Sequence, residues 1–276
     1  MPAVLNTNSA SLYASKNLQS AQSKMAQSVE RLSSGLRVNR AKDDAAGLGI
    51  ANALTSQINS ANQGIRNLND GISMVQTAEG AIAAAMEMGQ RILTLATQGA
   101  NGTMGATDRT AIQNEMKQLL TAINSIGTRT KFSGTTLFAS TAINVFNGKE
   151  STDKVEITAA ALATIGSASG SALTLSSWIN TETAITSSTY YQSIATSASL
   201  YITALDTQRG LLGALQNQME YSVSNIAELS ANLTSARSRI VDTDYASETA
   251  NLTKGQILQQ AATAMLAQAN QMPNVI

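Results

Sequence analysis

The sequence predicts a mainly α protein, a long antiparallel helical hairpin forming a coiled-coil rod, with a small β-hairpin region at its distal end. Three observations carry this. An unbroken seven-residue ladder runs through Ala198, Leu205, Leu212, Met219, Ile226, Leu233 and Ile240. A second series follows three residues after most rungs, at Tyr201, Gln208, Leu215, Ser222, Leu229 and Ala236. That is the a/d pattern of a coiled-coil helix. It gives a helix of about 50 residues, roughly 75 Å long at the α-helical rise. The second observation is a partner of matching length between residues 45 and 98. The third is that only Pro2 and Pro273 occur, so nothing between them forces a proline kink.

Composition narrows the function. Aromatics are 4% and charged residues 13%, and the formal net charge is zero. Such a chain has little self-repulsion to oppose association and no basic excess for nucleic acid. It has no Cys and no His, which removes thiol chemistry, the commonest general base and the commonest transition-metal ligand. No phosphate-binding glycine motif follows a strand. The expectation is a non-enzyme with no cofactor and no metal. The opening MPAVLNTNSASLYASK lacks the layout of a cleavable signal. No run of 18 apolar residues occurs, so membrane insertion is not expected.

In chain order, Leu5, Leu12, Leu18, Met25, Val29, Leu32 and Leu36 predict a first helix over 5–36, capped by Asn8 or Ser9 and stopped at Ser33-Ser34-Gly35. VNRAKDD (38–44) is a polar connector, with Asp43 or Asp44 as an N-cap. The second helix, 45–98, carries Ile58, Ile65, Leu68, Ile72 and Val75 as its core stripe. Gly64 and Gly71 inside it imply close backbone approach to a neighbouring helix. After a turn at 100–106, Asp108 is expected to cap a third helix through Ile112, Met116, Leu119, Ile123 and Ile126, ending at Gly127. Gly134 and Asn147-Gly148 are turn signals. Lys154-Val-Glu-Ile-Thr alternates as a strand. Residues 164–199 are rich in Ser, Thr, Ala and Gly, with Trp178 the sole tryptophan.

Past the ladder, VDTD (241–244) is a second connector. A last helix carries Ala250, Ile257, Ala261, Ala264, Met265 and Gln268, up to Pro273. The stretches 255–276 and 1–15 carry no charged side chain. The Gln and Asn side chains of 255–276 argue against hydrocarbon burial, so both ends are expected to be buried among other copies. Asp43-Asp44 and Asp242/Asp244 fall where helix caps are needed and read as caps before acid–base groups. Arg237 and Arg239 read as an ion-pair network with those aspartates. The sequons at Asn101, Asn232 and Asn251 are expected by chance. The nested lengths predict first helix beside last and second beside the ladder.

LSSGLRVNRAKDDAAGLGIA (32–51), LNDGISMVQTAEGA (68–81), GALQNQMEYSVSNI (213–226), SARSRIVDTDYASE (235–248) and QAATAMLAQAN (260–270) resemble the bacterial flagellin family, block by block and in order. The resemblance covers positions 1–140 and 197–276. It implies an extracellular, homopolymeric flagellar filament subunit for swimming motility, exported through the flagellar type III channel, with an export chaperone, cap and hook-associated proteins as partners. It implies an inner layer, D0, from 1–44 and 242–276, and a second layer, D1, from 45–241 with a β-rich segment at 130–189. Polymerisation contacts would then fall on Leu5, Leu12, Leu18, Met25, Ile257, Met265 and Leu266. By the same resemblance, Arg91, Leu95 and Glu115 match a Toll-like receptor 5 contact, although Thr94 stands where many recognised members have an acid. The stretch 138–189 leaves room only for a vestigial outer domain. The family commonly ends in a Leu-rich tail, whereas this chain reads Pro273-Asn-Val-Ile276. The alternative within the superfamily is a hook–filament junction protein. A chemoreceptor-type hairpin is opposed by the neutral ends.

Overall fold

A computed structural model describes residues 8–139, 141–163, 165, 179 and 187–271. Its helices are α1 (Ser9–Ser34), α2 (Ala45–Gly99), α3 (Ala106–Arg129), α4 (Ser188–Val241) and α5 (Tyr245–Gln271). Four short strands lie between α3 and α4: β1 (Lys131–Phe132), β2 (Thr135–Thr136), β3 (Ile143–Phe146) and β4 (Lys154–Ile157). Trp178, Leu5 and the stretch 272–276 lie outside the described residues. The chain divides into two compact units, one of residues 59–230 and one of 1–58 with 231–276.

In the 59–230 unit, α2 and α4 run antiparallel. Ser230 donates to the Asn62 side chain at 3.2 Å, Gly71 faces Met219, and Arg209 pairs with Glu79 at 3.2 Å. Gly89 faces the Tyr201 ring and Gly99 the Tyr191 ring. Each step up α2 is thus matched by a similar step back down α4. The ladder supplies the seam, with Leu205, Leu212 and Met219 fully buried and Ile226 still buried. Opposite them lie Leu68 and Val75, buried, with Ile65 and Ile72 packed alongside. Leu229 breaks the second series at 49% exposed. Ile58, Leu233 and Ile240, which belong to the other unit, are half-buried.

α2 buries a second face against α3, through Ile92, Leu95, Ile112, Met116 and Ile123. Sequence placed Asp108 as the cap of α3. The N-cap is instead Gly105, without a side-chain bond, and Asp108 sits in the first turn, where its charge favours the helix dipole. The turn between α2 and α3 is closed by a residue sequence reasoning missed. Arg109 is buried, and its guanidinium donates to the carbonyls of Gly99 and Asn101 at 3.1 and 3.0 Å. A cation there satisfies carbonyls at the negative end of α2. The Tyr191 hydroxyl donates to the Arg109 carbonyl at 2.8 Å, so α4 is tied to the same turn.

β1 and β2 form a hairpin through Ser133 and Gly134, both at positive φ, the conformation a two-residue hairpin turn needs. β3 and β4 pair antiparallel from Ile143↔Ile157 to Phe146↔Lys154. Val155 and Ile157 point inward and Lys154 and Glu156 outward, as the alternation predicts. Asn147-Gly148 opens a longer loop, closed by Asn147 N–H donating to the Asp153 carbonyl at 2.9 Å. This hairpin corrects the reading of Gly64. The close approach is real, but its partner is strand-loop backbone, because any Cβ at Gly64 would overlap the Asn147 carbonyl. Gly71 meets both Met219 of α4 and Val145 of β3. α4 begins at Ser188, well before the first rung at Ala198, so part of the Ser/Thr-rich stretch is helix. Tyr190, Tyr191 and Ile194 bury one face of it.

Two positions of the second series carry a buried polar atom without a partner among the described residues, the amide oxygen of Gln208 and the hydroxyl of Tyr201. Burial pushes the pKa of Tyr201 up. Removing an unsatisfied buried hydroxyl while keeping the ring should stabilise. Tyr201→Phe is expected to raise unfolding free energy by about 1 kcal/mol, seen as a higher thermal midpoint by circular dichroism. A lower midpoint would show that the hydroxyl has a partner.

Candidate assembly surfaces

In the unit of 1–58 with 231–276, α1 packs antiparallel on α5. The Asn8 side chain caps α1 by accepting from Ser11 N–H at 3.1 Å, and its amide reaches the Ala269 carbonyl at 2.8 Å. Ser11 donates to Asn270 at 3.0 Å. At the opposite end Arg31 pairs with the nearly buried Glu248 at 3.6 Å.

The seam between them is built from small residues. On α1 it holds Ala21 and Ser28, with Leu18, Met25 and Leu32 half-buried. On α5 it holds Glu248, Gly255, Ala262 and Ala269, buried, with Leu252, Gln259 and Leu266 half-buried. These alternate at steps of four and three, a heptad stripe. Ile257 and Met265, the larger α5 side chains expected to contact other copies, lie off this seam. Those two are 60% and 64% exposed, and Leu12 is 68% exposed. Of the expected end contacts, Leu18, Met25 and Leu266 line the seam inside the chain. Leu12, Ile257 and Met265 face outward. Alanine spacing could have revealed the seam, but no single large residue marks it. The outward side is grooved. A cavity of about 480 Å³ runs between α1 and α5, lined by Tyr13, Ala14, Ala21, Leu258, Ala262 and Met265 among others.

The two connectors meet in this unit. Gly35 adopts the left-handed conformation (φ 72°) and its N–H bonds the Arg31 carbonyl at 2.8 Å, a helix-ending geometry that glycine takes without a Cβ penalty. Leu36 then bridges Asp242 antiparallel, flanked by Arg37 N–H to the Val241 carbonyl at 2.6 Å and Thr243 N–H to the Gly35 carbonyl at 2.9 Å. Asp44 caps α2, accepting from Gly47 N–H at 2.8 Å. Asp244 caps α5, accepting from Ala246 N–H at 3.0 Å. Asp43 accepts the N–H groups of Arg40 and Asn39. The Arg40 bond foremost holds its carboxyl below the ordinary value. The expected network of Arg237 and Arg239 with these aspartates does not form among the described residues. Arg237 Nε is buried without a partner among the described residues, and the carboxylates of Asp43, Asp44 and Asp244 are occupied by backbone N–H groups. The ion pairs are Arg31–Glu248 and Arg40–Glu30, the latter at 2.8 Å.

In the other unit, Arg91 of α2 donates twice to one carboxylate oxygen of Glu115 on α3, at 2.9 and 2.7 Å, with both side chains exposed. Leu95 is 2% exposed and belongs to the core between these helices. Of the three receptor-contact residues the resemblance implied, two therefore present surface and one is packed beneath them. Among the described residues there is no cluster of acids able to hold a metal, and no helix is long and apolar enough to cross a membrane.

Residues 5–142 match the family described as the bacterial flagellin N-terminal helical region, and residues 196–276 the bacterial flagellin C-terminal helical region. A flagellin of Halalkalibacterium halodurans is 36% identical, over 99% of this chain and 98% of that one. A flagellin of Bacillus subtilis is 37% identical, over 98% and 97%. The flagellar filament 33 kDa core protein of Treponema phagedenis is 35% identical, over 97% and 96%. Nothing in these matches favours the hook–filament junction alternative. The chain belongs to the bacterial flagellin family, structural proteins that polymerise into the extracellular flagellar filament.

Proposed function

We propose that the α1/α5 pair, with its connectors, is the D0 contact layer through which copies join, and that the 59–230 unit is the body of D1. The observation that carries this is the second apolar face. Leu12, Tyr13, Ile257, Leu258 and Met265 are all substantially exposed although the seam between α1 and α5 is already closed. Apolar side chains at that density, along a groove whose lining holds one charged residue, Lys24, call for a covering surface, and the occupant is a second copy, because the family self-polymerises. The test is Leu12→Asp with Ile257→Asp in seeded elongation. Filament growth should stop while the melting of the 59–230 unit stays unchanged. Normal growth would remove this face from the assembly contacts.

Export through the type III channel, with a chaperone at the exposed ends and a cap and hook-associated proteins at the filament's two limits, follows from the same reading. The chain has no disulfide and no internal proline, so no covalent or slow isomerisation barrier opposes its staying unfolded. Asn62 of α2 and Ser230 of α4 are hydrogen-bonded across the helix pair and mark a site for a cross-link. Asn62→Cys with Ser230→Cys, once shown to be bonded inside the cell, should hold the chain back from secretion. Reduction should restore it, and secretion of bonded chain would count against export in the unfolded state.

Arg91 and Glu115 form the exposed part of the proposed Toll-like receptor 5 contact. Arg91→Ala should lower receptor-reporter signalling at least about tenfold, the range lost with a charged contact residue. Its exposed pair with Glu115 adds at most about 1 kcal/mol to the fold, so the melting temperature should barely move. Leu95→Ala should lower signalling and melting together. A reporter response to Arg91→Ala equal to wild type would remove the receptor from the partners.

A further inference from the structure

Among the described methionines, Met74, Met116 and Met219 are buried and Met25, Met86, Met88 and Met104 are half-buried. Met265 alone among them is exposed, at 64%. It is also the one on the groove between α1 and α5, beside Tyr13 and Leu258. Exposure governs how fast a thioether meets a small oxidant. Surroundings govern what the product does, and here the α5 wall is apolar while Asn17, Ser20 and Lys24 stand on the α1 wall.

We propose that Met265 is an oxidation site of the unassembled subunit, and that its sulfoxide bars the subunit from joining a filament. This rests on the reading that a second copy covers the groove. The oxidant is a peroxide. A sulfur lone pair attacks one peroxide oxygen, the O–O bond breaks, and water leaves after proton transfer to the departing oxygen. The sulfur is oxidised by two electrons and the peroxide is reduced by two. A flexible apolar side chain becomes a polar one with a strong acceptor oxygen. On its own helix the neighbouring Leu258, Ala261 and Ala262 offer it no side-chain donor, and the polar groups of the groove, Tyr13, Asn17, Ser20 and Lys24, all lie on the α1 wall. A sulfoxide that an incoming copy buries away from those α1 donors is an unpaired polar group and opposes subunit addition. In an assembled filament the same sulfur is covered and spared, so the modification acts on subunits awaiting addition and leaves existing filament intact.

The experiment treats full-length monomer and finished filaments with dilute hydrogen peroxide and maps sulfoxide by peptide mass spectrometry. Quenched monomer is then used in seeded elongation. Met265 should oxidise ahead of the other described methionines in monomer and at least about tenfold more slowly in filaments. Oxidised wild-type monomer should need about tenfold more protein to elongate, the equilibrium change expected for one poorly paired buried group. Met265→Leu, which keeps an apolar side chain without the sulfur, should elongate normally before and after peroxide. That variant also separates Met265 from Met1 and Met272, which lie outside the described residues. If monomer carrying Met265 sulfoxide elongates like untreated protein, the proposal fails. If Met265→Leu is inhibited as strongly as wild type, another site is responsible and the proposal fails. If Met265 oxidises equally fast in filaments, the covered-groove reading fails with it. Protection in filaments with unimpaired elongation would leave that reading standing and overturn the oxidation block alone.

Discussion

Replacing Leu212 by Asp is expected to cost the 59–230 unit about 4 kcal/mol or more, enough to unfold much of it at ambient temperature. Leu212 has no exposed surface. It lies on the ladder between Leu205 and Met219, where α4 meets α2 along its length. The substitution removes a fully buried aliphatic group, worth about 2–5 kcal/mol by itself. It also introduces a carboxylate with no ion-pair partner, since the ion pair between the two helices, Arg209–Glu79, is at the surface. Far-ultraviolet circular dichroism should show a sharply lowered melting midpoint, and motility should be lost. Leu229→Asp is the control. Leu229 belongs to the second apolar series of the same helix yet is 49% exposed, so the change should stay within about 0.5 kcal/mol. Equal effects at the two positions would mean that α4 does not bury its ladder face.

That contrast marks where sequence pattern gives way to packing. The ladder was legible because its rungs are large, evenly spaced and unbroken over seven heptad positions, and large side chains at a fixed period leave few helical arrangements. The helix ends at Asn8, Gly35, Asp44 and Asp244 were legible for a chemical reason. Caps need short acceptors or a glycine, and few residue types qualify. For the opposite reason, the α5 seam was not legible. Gly255, Ala262 and Ala269 permit close approach by being small, while Ile257 and Met265 attract attention by being large. A rule that sends big apolar residues inward fails on a helix with two apolar faces, one for its own chain and one for another. Glu248 was missed because a buried acid announces itself only through its partner, and its partner Arg31 lies near the other end of the chain. The Gly64 partner was missed because a glycine declares that something comes close without saying what. Arg109 carries no motif at all. Its role depends on the α2–α3 turn placing two carbonyls within reach. The exposed Arg91–Glu115 pair was marked by resemblance alone, and spacing would not have singled it out.

Deleting both ends, residues 1–44 and 242–276, is expected to leave a soluble, cooperatively melting monomer that never forms filaments. The unit of 59–230 keeps its own core in this variant, from Leu68 through Tyr191 to Met219, together with Arg109 and both hairpins. The ends contribute none of those side chains. What they do contribute is a helix pair with a weak internal seam. Burial between α1 and α5 falls on Ala21, Ser28, Gly255, Ala262 and Ala269, which remove little apolar area from water, at about 25 cal/mol for each Å². One ion pair, Arg31–Glu248 at 3.6 Å, closes the connector end. Ordering the backbone costs about 1–2 kcal/mol for each residue, and helices of this length are marginal without extensive packing. In free monomer α1 and α5 should therefore open readily, and neighbouring copies should hold them shut by covering Leu12, Ile257 and Met265. Limited proteolysis of intact monomer should trim both ends first and stop at a fragment close to 45–241, whereas assembled filaments should resist over the same time. Elongation by the end-deleted chain, or protease protection of the ends in dilute monomer equal to that of the core, would show that copies join through the 59–230 unit and that the end helices are stable by themselves.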